Sequence, residues 1–258
     1  MEATTPGWRA LLLPDNLRPP APSEFWRRYV VLGIITAAWA ALQVTFFLWF
    51  RWDVDRLTVT TFGFVTTWGG SAQDLVGFER FVNLMVRWEL GALNLAFIAA
   101  AALAWGWPRI RESIAAASFR KTAGYALAGA AVFILGDWAF EHARLYSGDP
   151  TLRQKPTLGL FLSGLASIGI IGPVAEEVAV RFTLYQFLRT KLAFPWAALI
   201  SSAAFGLMHF GYPDPMKMAM CLAGGWVLAW TYERTGSILA PVGVHVLNNG
   251  FMQAMAAI

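Results

Sequence analysis

From Tyr29 to its last residue the chain is a succession of apolar runs, each about as long as a bilayer is thick. A helix rises about 1.5 Å per residue, so a hydrocarbon layer of about 30 Å asks for roughly 20 apolar residues in a row. The runs are Tyr29 to Phe50, Leu90 to Trp107, Thr122 to Phe140, Leu158 to Leu188, Phe194 to Phe210, Met216 to Tyr232 and Ile238 to Ile258. Inside lipid a helix satisfies every backbone N–H and C=O within its own segment. Continuous runs therefore predict an all-α fold, a polytopic membrane helical bundle of about seven transmembrane helices. Composition agrees: only 14% of the residues are charged, against about a quarter in soluble domains. The thirteen Trp fit the two faces of a bilayer, where that residue gathers.

The runs also set the organisation. Residues 1–28, with PDNLRPPAPS at 14 to 23, are too proline-rich for a secretory signal and read as an N-terminal tail. Residues 29–258 read as one transmembrane domain without an internal repeat. Segment 51–89 is mixed, and Asp74 to Trp88 has Leu75, Phe78, Val82 and Met85 at helical spacing, which suggests a helix lying in the interface or, equally, a buried loop helix. Leu158 to Leu188 is too long for one straight crossing, and Gly172-Pro173 is the place for a kink or split. The net charge of +4 comes from scattered loop residues, so the expected surroundings are a lipid bilayer and no nucleic acid. The single cysteine, Cys221, can make no internal disulfide and reads as a small buried hydrophobe.

Ionisable groups inside a span cost about 2.5 to 3.5 kcal/mol each on insertion scales and usually have a task. Four places stand out. In Glu176-Glu177-Val-Ala-Val-Arg181, Glu177 and Arg181 are four apart and can pair on one helix face, while Glu176 points about 100° away. That is either a solvated pair at a helix end or a carboxylate held for proton transfer beside one fixed by arginine. His209 closes the fifth run; alone it would be an interfacial histidine bonded to a backbone carbonyl. His245 and Asn249, again four apart, can point at one spot or merely join two helices. Asp137, with Glu141, His142 and Arg144 close by, reads as an interface or structural network.

Depth joins the first three places. Glu176 is 13 residues from Arg189 and His209 is 13 from Trp196, each about 20 Å along a helix. His245 and Asn249 are 8 and 12 residues from Ser237, about 12 and 18 Å. With alternating helix directions, all three sets reach a similar depth from the same membrane face.

These sets are also the three motifs of a known family. EExxxR at Glu176 to Arg181, FxxxH at Phe205 to His209 and HxxxN at His245 to Asn249 resemble, in spacing and order, the intramembrane C-a-a-X protease and bacteriocin-processing (CPBP) family. The resemblance covers residues 158–258 and leaves the first 150 unmatched. It implies an intramembrane endopeptidase acting near the C-terminus or in the leader of a protein or peptide with a membrane-associated tail, in the plasma membrane of a bacterium. Glu176 would draw a proton from water, helped by His209; Glu177 with Arg181 would hold the first carboxylate in place. His245 and Asn249 would donate to the oxyanion. Members have been described both as metalloproteases and as glutamic proteases. Zinc on Glu176, His209 and His245 stays an alternative, but the Glu-plus-His route needs no cofactor and no metal is expected. Nucleophile-elbow and HExxH motifs are absent. The competing readings are a non-catalytic self-immunity or scaffold protein of the same fold and a small proton-relay transporter, although the duplicated halves of many transporters are missing.

Overall fold

The computed structural model describes residues 29–46, 48, 72–146, 157–209 and 215–255. Among these residues every regular element is a helix, in the order α1 Val31–Phe46, α2 Ala72–Trp105, α3 Trp107–Ile114, α4 Phe119–Tyr146, α5 Leu158–Arg189, α6 Phe194–Leu207, α7 Pro215–Thr235 and α8 Leu239–Met255. The N-terminal tail, residues 51–71, and the turn expected at Gly211 to Pro213 lie outside the described residues.

The breaks follow local chemistry. Gly106, at φ 83°, ends α2 in a conformation that side chains with a Cβ rarely take, and Pro108 stands in the first turn of α3. Gly236, at φ 67°, separates α7 from α8 in the same way. Thr157 caps α5, its hydroxyl accepting from the Leu160 N–H.

Among the described residues three helical stretches are long and apolar enough to cross a membrane: Val86–Trp105, Phe119–Ala139 and Leu158–Arg189. α1 and α6 are shorter apolar helices. Large apolar side chains stand exposed along these helices, Leu103, Phe119 and Leu158 among them, as the lipid-facing side of a bundle requires. α7 and α8 are helices where spans were expected, but their apolar character is diluted. Lys217, Glu233 and Arg234 stand on α7, and His245, Asn248, Asn249 and Gln253 on the 17-residue α8. Glu233, His245 and Asn248 turn inward and are buried.

Two expectations are refined. Asp74 to Trp88 is not a separate interfacial helix; it is the first half of the 34-residue α2, continuous with the second run. The helical periodicity seen there is real, but no helix stop separates it from Leu90 onward. In α5, the break expected at Gly172-Pro173 is absorbed by π-helical turns at Leu165–Ile171 and Val178–Tyr185. Pro173 cannot donate to the helix ladder and its ring crowds the carbonyl four residues back. Widening the preceding turns lets the Gly172 N–H bond the Ser167 carbonyl, five residues back, and the helix continues. α5 therefore runs as one irregular helix through the middle of the bundle.

α5 packs against α2, α6 and α8, while α4 packs against α7 and α8. α1 is tied to α2 by Trp39, which stacks on Phe97 with centroids 4.7 Å apart and donates to Asn94 Oδ1 at 3.0 Å. Cys221 is buried, as expected.

Candidate active site

The two glutamates at the centre of α5 differ in their surroundings. Glu177 is fully buried, and its Oε2 lies 3.2 Å from the Nε of Arg181, one turn on and also fully buried. The guanidinium is held from the other side: Nη2 donates to the Gly225 carbonyl on α7 at 3.0 Å, and its carbon lies 4.7 Å from the centre of the Phe205 ring. Gly225 also lets α7 lie close against α6, because a Cβ there would sit 3.0 Å from Ser202 Cα. Glu177 and Arg181 are thus an ion pair at the meeting of α5, α6 and α7 rather than a solvated pair at a helix end.

His245 on α8 completes this group. Its Nδ1 lies 2.9 Å from Glu177 Oε1. A carboxylate oxygen only accepts, so Nδ1 carries the hydrogen and Nε2 is the free end of the ring. Nε2 lies 3.8 Å from Glu176 Oε2. Glu176 is 23% exposed, yet its Oε2 is buried and has no hydrogen-bond partner. Glu177 pairs with Arg181 as the four-residue spacing allows, but the group it meets beyond that is His245 rather than Glu176. Its bond to His245 was not foreseen, since spacing within α5 says nothing of which neighbour α8 meets.

The remaining motif residues stand around this core. His209, at the end of α6, has Nδ1 2.9 Å from the Phe205 carbonyl, so this nitrogen is also the one carrying hydrogen. The His209 and His245 rings both pack edge-on against the buried Phe205 ring, at centroid distances of 5.0 and 5.4 Å. Asn249, one turn beyond His245, donates from Nδ2 to the Ile168 carbonyl of α5 at 3.0 Å. Ile168 belongs to the first π-helical segment of α5, so the irregular helix also sets where α8 is anchored.

A catalytic zinc needs three protein ligands. Among the described residues no three His, Cys, Asp or Glu side chains come together as such a set, and His245, with Nδ1 on Glu177, would offer Nε2 to a metal.

Two polar residues near the site were not singled out from the sequence. Asn94 on α2 is buried, and a Cβ added to Gly172 would lie 3.9 Å from its Nδ2 and 4.0 Å from Glu176 Oε1. An amide within the second apolar run was the available signal. Asn248, beside Asn249, is 1% exposed and donates to Asp137 Oδ2 at 3.0 Å. Asp137, expected in a network with Glu141, His142 and Arg144, is paired across the bundle, with Lys217 Nζ 3.1 Å from Oδ1. His142 stacks on Trp138, and the side chains of Glu141 and Arg144 lie outside the described residues.

Residues 158–251 match the family model of the type II CAAX prenyl endopeptidases, Rce1-like. The chain is also 35% identical over 86 residues to "Putative membrane peptidase YdiL" of Bacillus subtilis (strain 168). That alignment takes in 33% of this chain and 34% of the relative, so the likeness spans about a third of the relative's length. No solved structure matches significantly. With its spanning helices, this likeness places the chain among integral membrane proteins. The matched segment contains all three motifs and each helix that carries them, and over it the family resemblance is shown: the chain is similar there to the Rce1-like endopeptidases.

Proposed function

We propose that this chain is an intramembrane endopeptidase that hydrolyses a peptide bond near the C-terminus, or in the leader, of a membrane-associated protein or peptide. The reading is supported above all by the gap between Glu176 Oε2 and His245 Nε2. At 3.8 Å it is too wide for a direct hydrogen bond and suits one bridging water. The unpartnered, buried Oε2 is the group that such a water would satisfy.

Glu176 takes a proton from this water as the oxygen attacks the scissile carbonyl carbon. The tetrahedral oxyanion is received by Asn249 Nδ2, whose amide has a second hydrogen beside the one given to Ile168. His245 Nε2 adds a donor whenever the ring carries both protons, and accepts from the water when it does not. When the C–N bond breaks, Glu176 returns the proton to the leaving nitrogen and is a carboxylate again. Glu177 and Arg181 fix the His245 ring, and His209 assists at the edge of the site through Nε2. No metal takes part in this scheme. The relative is bacterial, which favours a bacterial plasma membrane as the setting and a leader or sorting tail over a prenylated one as the cleaved segment.

The test is co-expression of a candidate tailed substrate with the wild-type chain, Glu176→Ala, His209→Ala and His245→Ala, each checked for equal membrane level. Loss of the processed band in all three supports the endopeptidase. Processing that persists would make the motifs structural and bring forward a self-immunity or scaffold role.

A further inference from the structure

We propose that Asp137, on α4 and outside the segment that matches the endopeptidase family, is a positioning residue for the oxyanion donor Asn249, acting through Asn248. This rests on the peptidase reading above. A chain of polar groups runs from α7 to α5 by way of α4 and α8. Lys217 Nζ meets Asp137 Oδ1 at 3.1 Å, and Asn248 Nδ2 meets Asp137 Oδ2 at 3.0 Å. The same Asn248 Nδ2 lies 3.3 Å from Asn249 Oδ1, and Asn249 Nδ2 lies 3.0 Å from the Ile168 carbonyl.

The direction of every bond in this chain is set by its ends. Lysine only donates and a carboxylate only accepts, so the Asn248 atom facing Asp137 is its NH2. The Ile168 carbonyl only accepts, so the Asn249 atom facing it is also its NH2, which turns Asn249 Oδ1 towards Asn248. Without an acceptor at position 137, Asn248 could present either end of its amide, and an Asn248 oxygen facing Asn249 would repel its Oδ1 and compete with the Ile168 carbonyl for its NH2. An Asn249 amide drawn off the Ile168 carbonyl no longer aims its second N–H at a developing oxyanion.

Burial gives the chain its leverage. Asp137 is 3% exposed and Asn248 1%, so neither can take water as a substitute partner at little cost. α4 and α8 come together closely enough for this contact at Gly129, where a Cβ would fall 2.7 Å from Val244 Cγ2 and 2.9 Å from Thr231 Cγ2. The position lies two turns before Asp137, on the helix that packs most heavily on α8.

The test has two readouts on full-length protein in detergent. The chain has five asparagines, so with 15N-asparagine labelling the Asn249 side-chain amide peaks are identified by their loss in Asn249→Ala. In Asp137→Ala those peaks move or split, which measures positioning whether or not a substrate is known. In peptide cleavage, Asp137→Ala lowers kcat about ten-fold or more with KM within about two-fold, the pattern of a lost transition-state contact. Peaks that stay in place, or an unchanged kcat in an enzyme that Glu176→Ala inactivates, overturn the proposal while leaving the peptidase reading intact. A wild-type chain that cleaves nothing overturns the peptidase reading, and the Asn249 peaks still decide the positioning. If Asp137→Ala does not accumulate, Asp137→Asn with Lys217→Met removes the charge pair and keeps an oxygen for Asn248. Wild-type peak positions in that double variant support the role, and displaced peaks overturn it.

Discussion

Glu177 and Glu233 are both buried carboxylates paired with arginine, yet one network is closed and the other is open. Glu233 on α7 takes hydrogen bonds on both oxygens: Arg189 binds it through Nε and, at 2.8 Å, through Nη2, and the buried Tyr185 hydroxyl donates to Oε2. Arg189 also reaches the Leu192 carbonyl. Around Glu177 the count is incomplete. Its Oε2 and the Arg181 Nε face each other at 3.2 Å without a well-aligned hydrogen bond, and Arg181 Nη1 and Glu176 Oε2 are buried without partners. A satisfied buried network stiffens a fold, whereas unmet buried groups are costly and are retained where something else is to be bound. The end of α5 near Arg189 is accordingly a staple between α5 and α7, and the middle of α5 is the candidate site.

That contrast can be broken most sharply at Glu176. Glu176→Gln keeps the shape and removes the base, so cleavage should fall about a thousand-fold while the melting temperature in detergent stays close to wild type. A variant with wild-type turnover would end the assignment. Next in size is Arg181→Met, which leaves Glu177 buried with its cation gone. A stability loss of about 3 to 5 kcal/mol is expected, together with loss of cleavage, because His245 is held through the same carboxylate. Denaturation monitored by Trp fluorescence reads the first effect and a cleavage assay the second. Glu233→Gln should cost about 2 kcal/mol, the value of charged hydrogen bonds, with turnover per folded molecule within a few-fold of wild type. If turnover fell as far as in Glu176→Gln, the two networks would not be separable in function. The smallest effect belongs to Cys221→Ala, which removes one buried sulfur: less than about 1.5 kcal/mol of stability and no change in cleavage. A loss of cleavage there would point to the thiol and away from Glu176.

How far these regions could be read in advance depended on how local their causes are. The ion pair of Glu177 with Arg181 was legible because residues four apart on a helix share a face. His245 with Asn249 was legible for the same reason, although Asn249 proved to be anchored on Ile168. Asp137 was legible as an ionisable group in a span, but its neighbours in sequence gave no sign of its distant partners. Lys217 is 80 residues away and Asn248 is 111, and no periodicity links them. The continuity of α2 was hidden for a different reason. Its first half carries enough charge to look interfacial, and its hydrogen bonds run on into the apolar half without a break.

The sequence by itself determined an all-helical membrane fold, the runs that become its helices, and the three polar motifs with their spacing. Each of these rests on hydrophobicity and helical period, which act within one segment at a time. Only the tertiary structure decided that His245 meets Glu177 through Nδ1 and leaves Nε2 towards Glu176. It also decided that Pro173 is accommodated by widened turns, and that Asp137 reaches Asn248. Those outcomes depend on how closely two helices can approach, at Gly225 beside Ser202 and at Gly129 beside Val244, and on where a proline-strained helix places its carbonyls. Packing distances of that kind are properties of pairs of helices, and no single segment contains them.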